Sequence, residues 1–507
     1  MRIVTTPLPS RVRAPDPHGG GFDPALQPVL IDGPGQEALR AGLAAPGVLA
    51  VTTGQQPALF TGPLYTVHKA LSAAALARTL TARWGRPVQA LFWVAADDHD
   101  FAEANHAAWL RPDGALHVET LPPREAEAAL RPMAREPLPA AVARSLAALG
   151  ADLAPYGDPA PALDWLGRHF RPGTTLGAAS AGALAELLAP LGVLCVDGAH
   201  AALKRKGAPL VRAALERAGE LEDLLVRRAA GLRAEGHDPG VLVDDGATLV
   251  MLDTEQGRDR LVRDGAGFRT RHGRRHYERA ELLDLLEQEP GRFSGNVLLR
   301  PVLERAVLPT VAYVGGPGEL RYLALAEVLY PALGVTAQLP VPRWSGQLVE
   351  PRVDRVLAKY GATVEELLAP DQALEARVVR AHLPPEAPRA LAALREALAR
   401  EYGVLAQVAA TVDPTLARPL GGLRGRAEAG LERADRKLLQ HLKRRHAEDT
   451  AQIARARTAL LPGGRPQDRV LTVAPYLARS GHGVLPALLT EMEAWYHAAL
   501  EGGGGPP

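Results

Sequence analysis

A single cysteine, Cys195, stands in a chain of 507 residues. One thiol can form neither an intramolecular disulfide nor a cysteine-cluster zinc site. Cys195 falls inside the apolar run GVLCVDG, so it reads as a buried small hydrophobe and not as a nucleophile. An excess of either charge is also missing: 58 Lys and Arg balance 57 Asp and Glu, for a formal charge of +1. That gives no electrostatic reason to expect nucleic acid. Lysine is scarce within the basic set, six residues in all, which makes any one Arg weakly informative and Lys69 more so. No run approaches the roughly 20 apolar residues of a membrane span, and the start MRIVTTPLPSRVRAPDPHGG has no apolar signal core. The expectation is a soluble, cytoplasmic protein with neither membrane nor nucleic acid as partner.

What is present is ample core material, 47% hydrophobic residues, in a length that suggests two to four domains at about 150 residues each. Residues 46–110 read as a strand over Gly47–Thr52, a glycine turn, a helix from about Leu64 to residue 84, a strand over 88–95 and a loop. A second unit follows with helix GALAELLAPL, strand GVLCVDG and a helix from Ala202 to Glu222. NVLLRP (296–301) and LPTVAYVGG (308–316) read as two further strands. The fold class is therefore α/β, a Rossmann-like core over 1–110, 182–234 and 293–350. It is interrupted by a mostly helical insertion at 111–181 and by a small antiparallel β insertion at 235–292, with runs VLVDDG, TLVMLDT and GFRTRHG. Residues 351–507 read as a helical domain. Leu391, Leu394, Leu398, Leu405, Val408 and Val412 hold a and d heptad positions with Glu401 as the interruption. A proline and glycine break at 414–422 precedes a second helix over 423–461, which makes an antiparallel coiled-coil hairpin and points to a homodimer.

Two segments concentrate the chemistry. Thr53-Gly54-Gln55-Gln56, then Gly62, Tyr65, His68 and Lys69, carry a strand through a glycine turn into a helix, the geometry that sets backbone N–H groups against phosphate. Asp98, His99, Asp100, Asn105 and His106 follow the next strand's carboxyl end. Carboxylates there can hold an ammonium group or accept a proton from an attacking amine, with His99 or His106 as base or phosphate contact. Asp98, His99 and His106 could instead take Zn or Mn, or Asp could simply cap a helix near Phe101. No metal is assigned. Gly315, Gly316 and Gly318 permit close ligand approach after a core strand, and Glu319 opens the next helix. Arg300, Arg321 and Arg343 are candidates for pairing with carboxylates, and within VPRWS Arg343 and Ser345 are the residues that could contact a ligand.

The window Gly62 to His68 resembles the HIGH-type signature of class I nucleotidylyl transferases and aminoacyl-tRNA synthetases, with Tyr65 and Val67 departing from it. TGQQ, TGPLYT, the pattern Trp93 to His106, NVLLRP, LPTVAYVGGPGE, VPRWS, DRKLLQHLKRR and QDRVLTVAPYLARSG occur in one order, and together the chain resembles the bacillithiol synthase family, BshC. The resemblance implies an ATP-dependent ligase, with Mg as the nucleotide's counter-ion, that joins cysteine to the amine of glucosaminyl malate. It implies catalytic roles for His68, Asp98, His99 and Asp100. Nucleotide contacts would come from Thr53, Gly54, Gln55, Gln56, Gly62, Lys69, Gly315, Gly316, Gly318 and Glu319, and substrate contacts from Tyr65, Asn105, His106, Arg300, Arg343 and Ser345. A nucleotidylyl transferase without an acceptor amine and a nucleotide-binding coiled-coil scaffold are the rival readings; VPRWS, standing where class I enzymes carry KMSKS, has no lysine.

Overall fold

The computed structural model describes residues 1–7, 12–125, 128–243 and 245–501. The chain divides into two units, residues 3–348 with those from Arg465 on, and residues 349–464. The first is built on five parallel strands: β1 (Leu49–Gln55), β2 (Val88–Val94), β3 (Val193–Asp197), β4 (Thr310–Gly315) and β5 (Leu339–Pro342). Their order is β5-β4-β1-β2-β3, with every pairing parallel. The chain winds outward from β1 to β3, then restarts on β1's other side at β4. That reversal opens a crevice between the carboxyl ends of β1 and β4. β1 and β4 are buried along nearly their whole length, as strands covered on both faces are, and Cys195 lies fully buried in β3.

Helix α1 (Tyr65–Trp84) connects β1 to β2 and ends at Gly85, which takes a left-handed φ of 60°. Its run ALSAAALA keeps the helix thin, so it packs closely on β1, β2 and a helix from the end of the chain. Helix α2 (Pro317–Ala326) follows β4, with Glu319 folding back onto the Gly316 N–H at 2.8 Å. After β2 the chain forms a hairpin, His106–Leu110 with Leu116–Thr120, and helices Ala141–Leu153, Ala160–His169 and Leu176–Leu188. Beyond β3, helices Ala201–Glu216 and Ala218–Ala234 lead to an antiparallel sheet in the order 276–277, 267–270, 257–264, 247–254, 293–295.

Several elements differ from expectation. NVLLRP is not a strand: Asn296 Oδ1 accepts from the N–H groups of Leu298 and Leu299 at 3.0 Å, and a helix runs over Arg300–Val307 with Pro301 in its first turn. Residues 241–243 of VLVDDG form no strand, and Asp244 lies outside the described residues. The helix expected over 202–222 is two, parted at Arg217. The second unit's hairpin joins α3 (Glu386–Val412) to α4 (Ala417–Arg445), followed by α5 (Ala447–Leu460). The break between α3 and α4 is shorter than 414–422, because Pro419 sits in the first turn of α4, where no donor is lost. Residues from Arg465 belong with the sheet unit and not with the helical domain expected over 351–507. The reason is α6 (Val484–Glu501), which lies on α1, sets Met492 Sδ 3.7 Å from Ser72 Oγ and places the Tyr496 hydroxyl 2.7 Å from the Pro342 carbonyl. Residues 502–507 lie outside the described residues.

Candidate active site

A cavity of about 650 Å³ occupies the crevice. The carboxyl ends of β1 and β4 contribute Gly54, Gln55, Gln56, Gly316, Gly318 and Glu319, and α1 contributes Tyr65 and Lys69. Lys69 is 1% exposed and spends its three donors within the protein. They reach the Gly54 carbonyl, Gln55 Oε1 at 3.2 Å and the Glu319 carboxylate at 2.8 Å. Burial lowers the Lys69 pKa, against the opposing charge of Glu319. Burial acts to raise that of Glu319, but Lys69 and the donors Gly316 N–H and Tyr313 O–H outweigh it, and the carboxyl group sits below its ordinary value. Gln55 also donates to the Tyr65 hydroxyl at 3.2 Å, and burial pushes the Tyr65 pKa up to about 12.

The turn that delivers α1 to this position is strained. Phe60 and Thr61 take φ values of 49° and 67°, ahead of Gly62 at 73°. A β-branched residue in the left-handed region costs about 1–3 kcal/mol. The surroundings hold it there: Phe60 stacks edge-on against Phe170 at 5.4 Å, the Thr472 hydroxyl donates to the Phe60 carbonyl at 2.9 Å, and the Leu64 N–H reaches the Leu471 carbonyl at 2.8 Å. The segment that returns from Arg465 thus fixes the entry to α1.

Across the cavity, the loop after β2 brings Asp97, Asp98, His99, Asp100 and Glu103 to the lining. Asp98 Oδ1 accepts from the N–H groups of His99 and Asp100 at 2.7 and 3.1 Å, and Asp100 Oδ1 caps the short helix Phe101–Ala104 through the Glu103 N–H at 3.1 Å. Capping therefore occurs, and both carboxylates still reach the cavity. Burial lowers the His99 pKa and raises that of Glu103. Lys204, on helix Ala201–Glu216, forms an ion pair with Asp97. The antiparallel sheet adds Arg258 and Arg260, with Arg258 bonded to Ser294 Oγ and the Gly295 carbonyl at 2.9 Å each. Arg300 is partly buried among Tyr313, Tyr322 and Glu304; burial acts to lower its pKa, but these neighbours raise it. Arg343 lines the cavity and donates to Asp468 at 2.5 Å.

Not every candidate arrives. His68 is fully buried outside the cavity lining, edge-on to Trp344 at 5.2 Å, with no hydrogen-bond partner among the described residues for either ring nitrogen, and burial lowers its pKa to about 4. Thr53 donates to the Val314 carbonyl and so ties β1 to β4. Gly62, Gly315, Asn105, His106 and Ser345 are likewise absent from the lining, as is Arg321, 3.7 Å from Asp238. Asp97, Lys204, Arg258, Arg260 and Arg469 carried no assigned role in the sequence: Asp97 and Arg469 stand inside quoted motifs, while no motif isolates Lys204, Arg258 or Arg260 from other charged residues. Lysine scarcity is the one signal that could have singled out Lys204.

The strand order and the crevice at its reversal define a doubly wound, Rossmann-like α/β protein with a cavity at the switch point. Within that class, the model "Bacillithiol biosynthesis BshC, N-terminal Rossmann-like domain" matches residues 37–344, and "Bacillithiol biosynthesis BshC, C-terminal coiled-coil domain" matches residues 346–497. The chain belongs to the BshC family. Similar proteins named "Putative cysteine ligase BshC" come from Solibacter usitatus, 33% identical over 90% of this chain and 85% of that protein, and Thermus thermophilus, 34% identical over 89% and 87%. Another, from Heliobacterium modesticaldum, is 32% identical over 89% and 83%.

Proposed function

We propose that the chain is an ATP-dependent ligase that joins the carboxyl group of cysteine to the amine of glucosaminyl malate, the bacillithiol-forming step, in the cytoplasm. The observation that carries this reading is one cavity with a glycine-edged, cationic wall at β1 and β4 and an acidic wall at the end of β2. The names of the relatives supply the substrate class. Amide formation in water is uphill, and ATP with Mg would supply the activation: the carboxylate would attack the α-phosphate, the bond to the β-phosphate would break, and an acyl adenylate and pyrophosphate would result.

In this reading Gly54, Gln55, Gln56, Gly316 and Gly318 let the nucleotide approach the backbone. Lys69 and Arg300 offset the negative charge that accumulates as the carboxylate is activated, a contribution that is large in a site drier than bulk water. Lys69 meets the nucleotide by exchanging its 3.2 Å contact with Gln55 for a phosphate oxygen. Asp98 and Asp100 hold the acceptor amine and take its proton as nitrogen bonds to the acyl carbon and AMP departs. His68 packs the core.

Mass spectrometry of protein incubated with ATP, Mg, cysteine and glucosaminyl malate tests the proposal. Bacillithiol and AMP are expected. ADP in place of AMP would replace the adenylate by an acyl phosphate, and folded protein that yields no thiol product would overturn the ligase reading.

A homodimer through the hairpin is the second part of the proposal. Leu394, Leu405, Val408 and Val412 stay exposed on α3 by 47–77%, which leaves an apolar seam for a second copy.

A further inference from the structure

The helical unit carries a second cluster of polar side chains. His382 lies just beyond helix Ala373–Arg380, ahead of α3. His446 sits at the junction of α4 and α5, and Asp449 in the first turn of α5. The two histidines therefore bracket the hairpin, one immediately before its outgoing helix and one immediately after its returning helix. Their rings stack with centroids 3.8 Å apart at 13°.

Asp449 Oδ2 is 3.4 Å from His446 Nδ1 and 3.9 Å from His382 Nε2, and one ligand atom from each of the three residues lies within 4.8 Å of the other two. A point equidistant from atoms so spaced is roughly 2.1–2.4 Å from each, against about 2.0–2.2 Å for zinc bonds to imidazole nitrogen and carboxylate oxygen. The carboxylate is also oriented from behind. Its Oδ1 accepts from the Tyr360 hydroxyl at 2.7 Å and from Lys359 Nζ at 3.0 Å, which turns Oδ2 toward the histidines. Outer hydrogen bonds of this kind fix ligands in metal centres. In-plane lone pairs of stacked rings run side by side, so one ring must turn for both to converge. His382, with a side chain 42% exposed, has the room.

We propose that His382, His446 and Asp449 form a divalent-metal site of the zinc type, open to water at its remaining position, that clips the base of the coiled-coil hairpin. Two imidazoles and a carboxylate suit zinc better than magnesium or calcium, which prefer oxygen sets. The site is independent of the cavity chemistry, because every ligand belongs to the helical unit.

The test is calorimetric titration of zinc into tag-free, chelator-stripped full-length protein. One equivalent with a dissociation constant on the order of micromolar or tighter is expected, together with a higher unfolding temperature. His382→Ala and His446→Ala should each weaken binding by at least about tenfold and abolish the thermal gain. His99→Ala, which alters the acidic loop of the cavity, should leave zinc affinity unchanged. Cobalt(II) added to the wild-type protein gives a readout that does not depend on any variant folding, and the intense visible absorption of a four-coordinate ion is expected. Absence of zinc uptake, uptake unchanged in a folded His382→Ala/His446→Ala double variant, or only the pale spectrum of hydrated cobalt would overturn the site.

Discussion

The two walls of the cavity are held by different means. The wall at β1 and β4 is tied by contacts between residues far apart in sequence: Lys69 with Glu319 across 250 positions, Thr53 with Val314 across 261. The acidic loop is largely tied to itself, Asp98 to its next two N–H groups and Asp100 to Glu103. Outside help comes from the first insertion, where the Met133 N–H reaches the Asp98 carbonyl at 2.7 Å and Arg124 donates to the His99 carbonyl at 2.9 Å. The first wall is prearranged by the fold and uses its charges to hold position. On the second, each of the two carboxylates commits one oxygen to the turn.

Lys69→Met strikes the first wall at its centre. Activity in the thiol-forming assay should fall by about 10²–10³-fold, and unfolding in urea should show a loss of about 1–3 kcal/mol from the stranded Glu319. The second wall should separate charge from capping. Asp100→Asn keeps an N-cap acceptor and removes the charge, so turnover should drop by about 10–100-fold while the thermal midpoint stays within a degree or two of wild type. An equal loss of stability in this variant would mean that the two walls are built alike.

The third prediction separates the neighbours His68 and Lys69. The unfolded chain binds a proton at His68 near pH 6.5, whereas the folded chain refuses it until about pH 4. Stability should therefore fall as pH drops through that window, by up to ~3 kcal/mol. His68→Leu should remove this part of the pH dependence in denaturant titrations and leave turnover within about threefold of wild type, as expected of a side chain away from the chemistry. A large loss of activity in folded protein would return His68 to the site. The smallest effect on turnover is expected from Val408→Asp, on the exposed seam of α3. Sedimentation should shift it to monomer, with the rate per chain unchanged.

Much of the first wall was legible because its spacing is local: an apolar run, a glycine turn and an alanine-rich helix define β1 and α1 within forty residues. Which of two adjacent residues faces the crevice was not. A helix turns about 100° per residue, and that single step places Lys69 on the cavity and His68 against Trp344. NVLLRP misled because its Val and Leu residues suit a strand, while the Asn296 turn and Pro301 start a helix. The return of the chain at Arg465, and the fastening of Phe60 and Leu64 by residues 471 and 472, are long-range packing outcomes that no local pattern encodes.

Cys195, closed within β3 with its pKa raised by burial, has a chemical consequence of its own. Mixed disulfides form only when a thiolate can reach a disulfide sulfur, and this chain offers no other thiol. With the thiol-forming activity proposed above, the chain would therefore present no accessible sulfur to the oxidised form of its product, and sulfur exchange would not throttle its output.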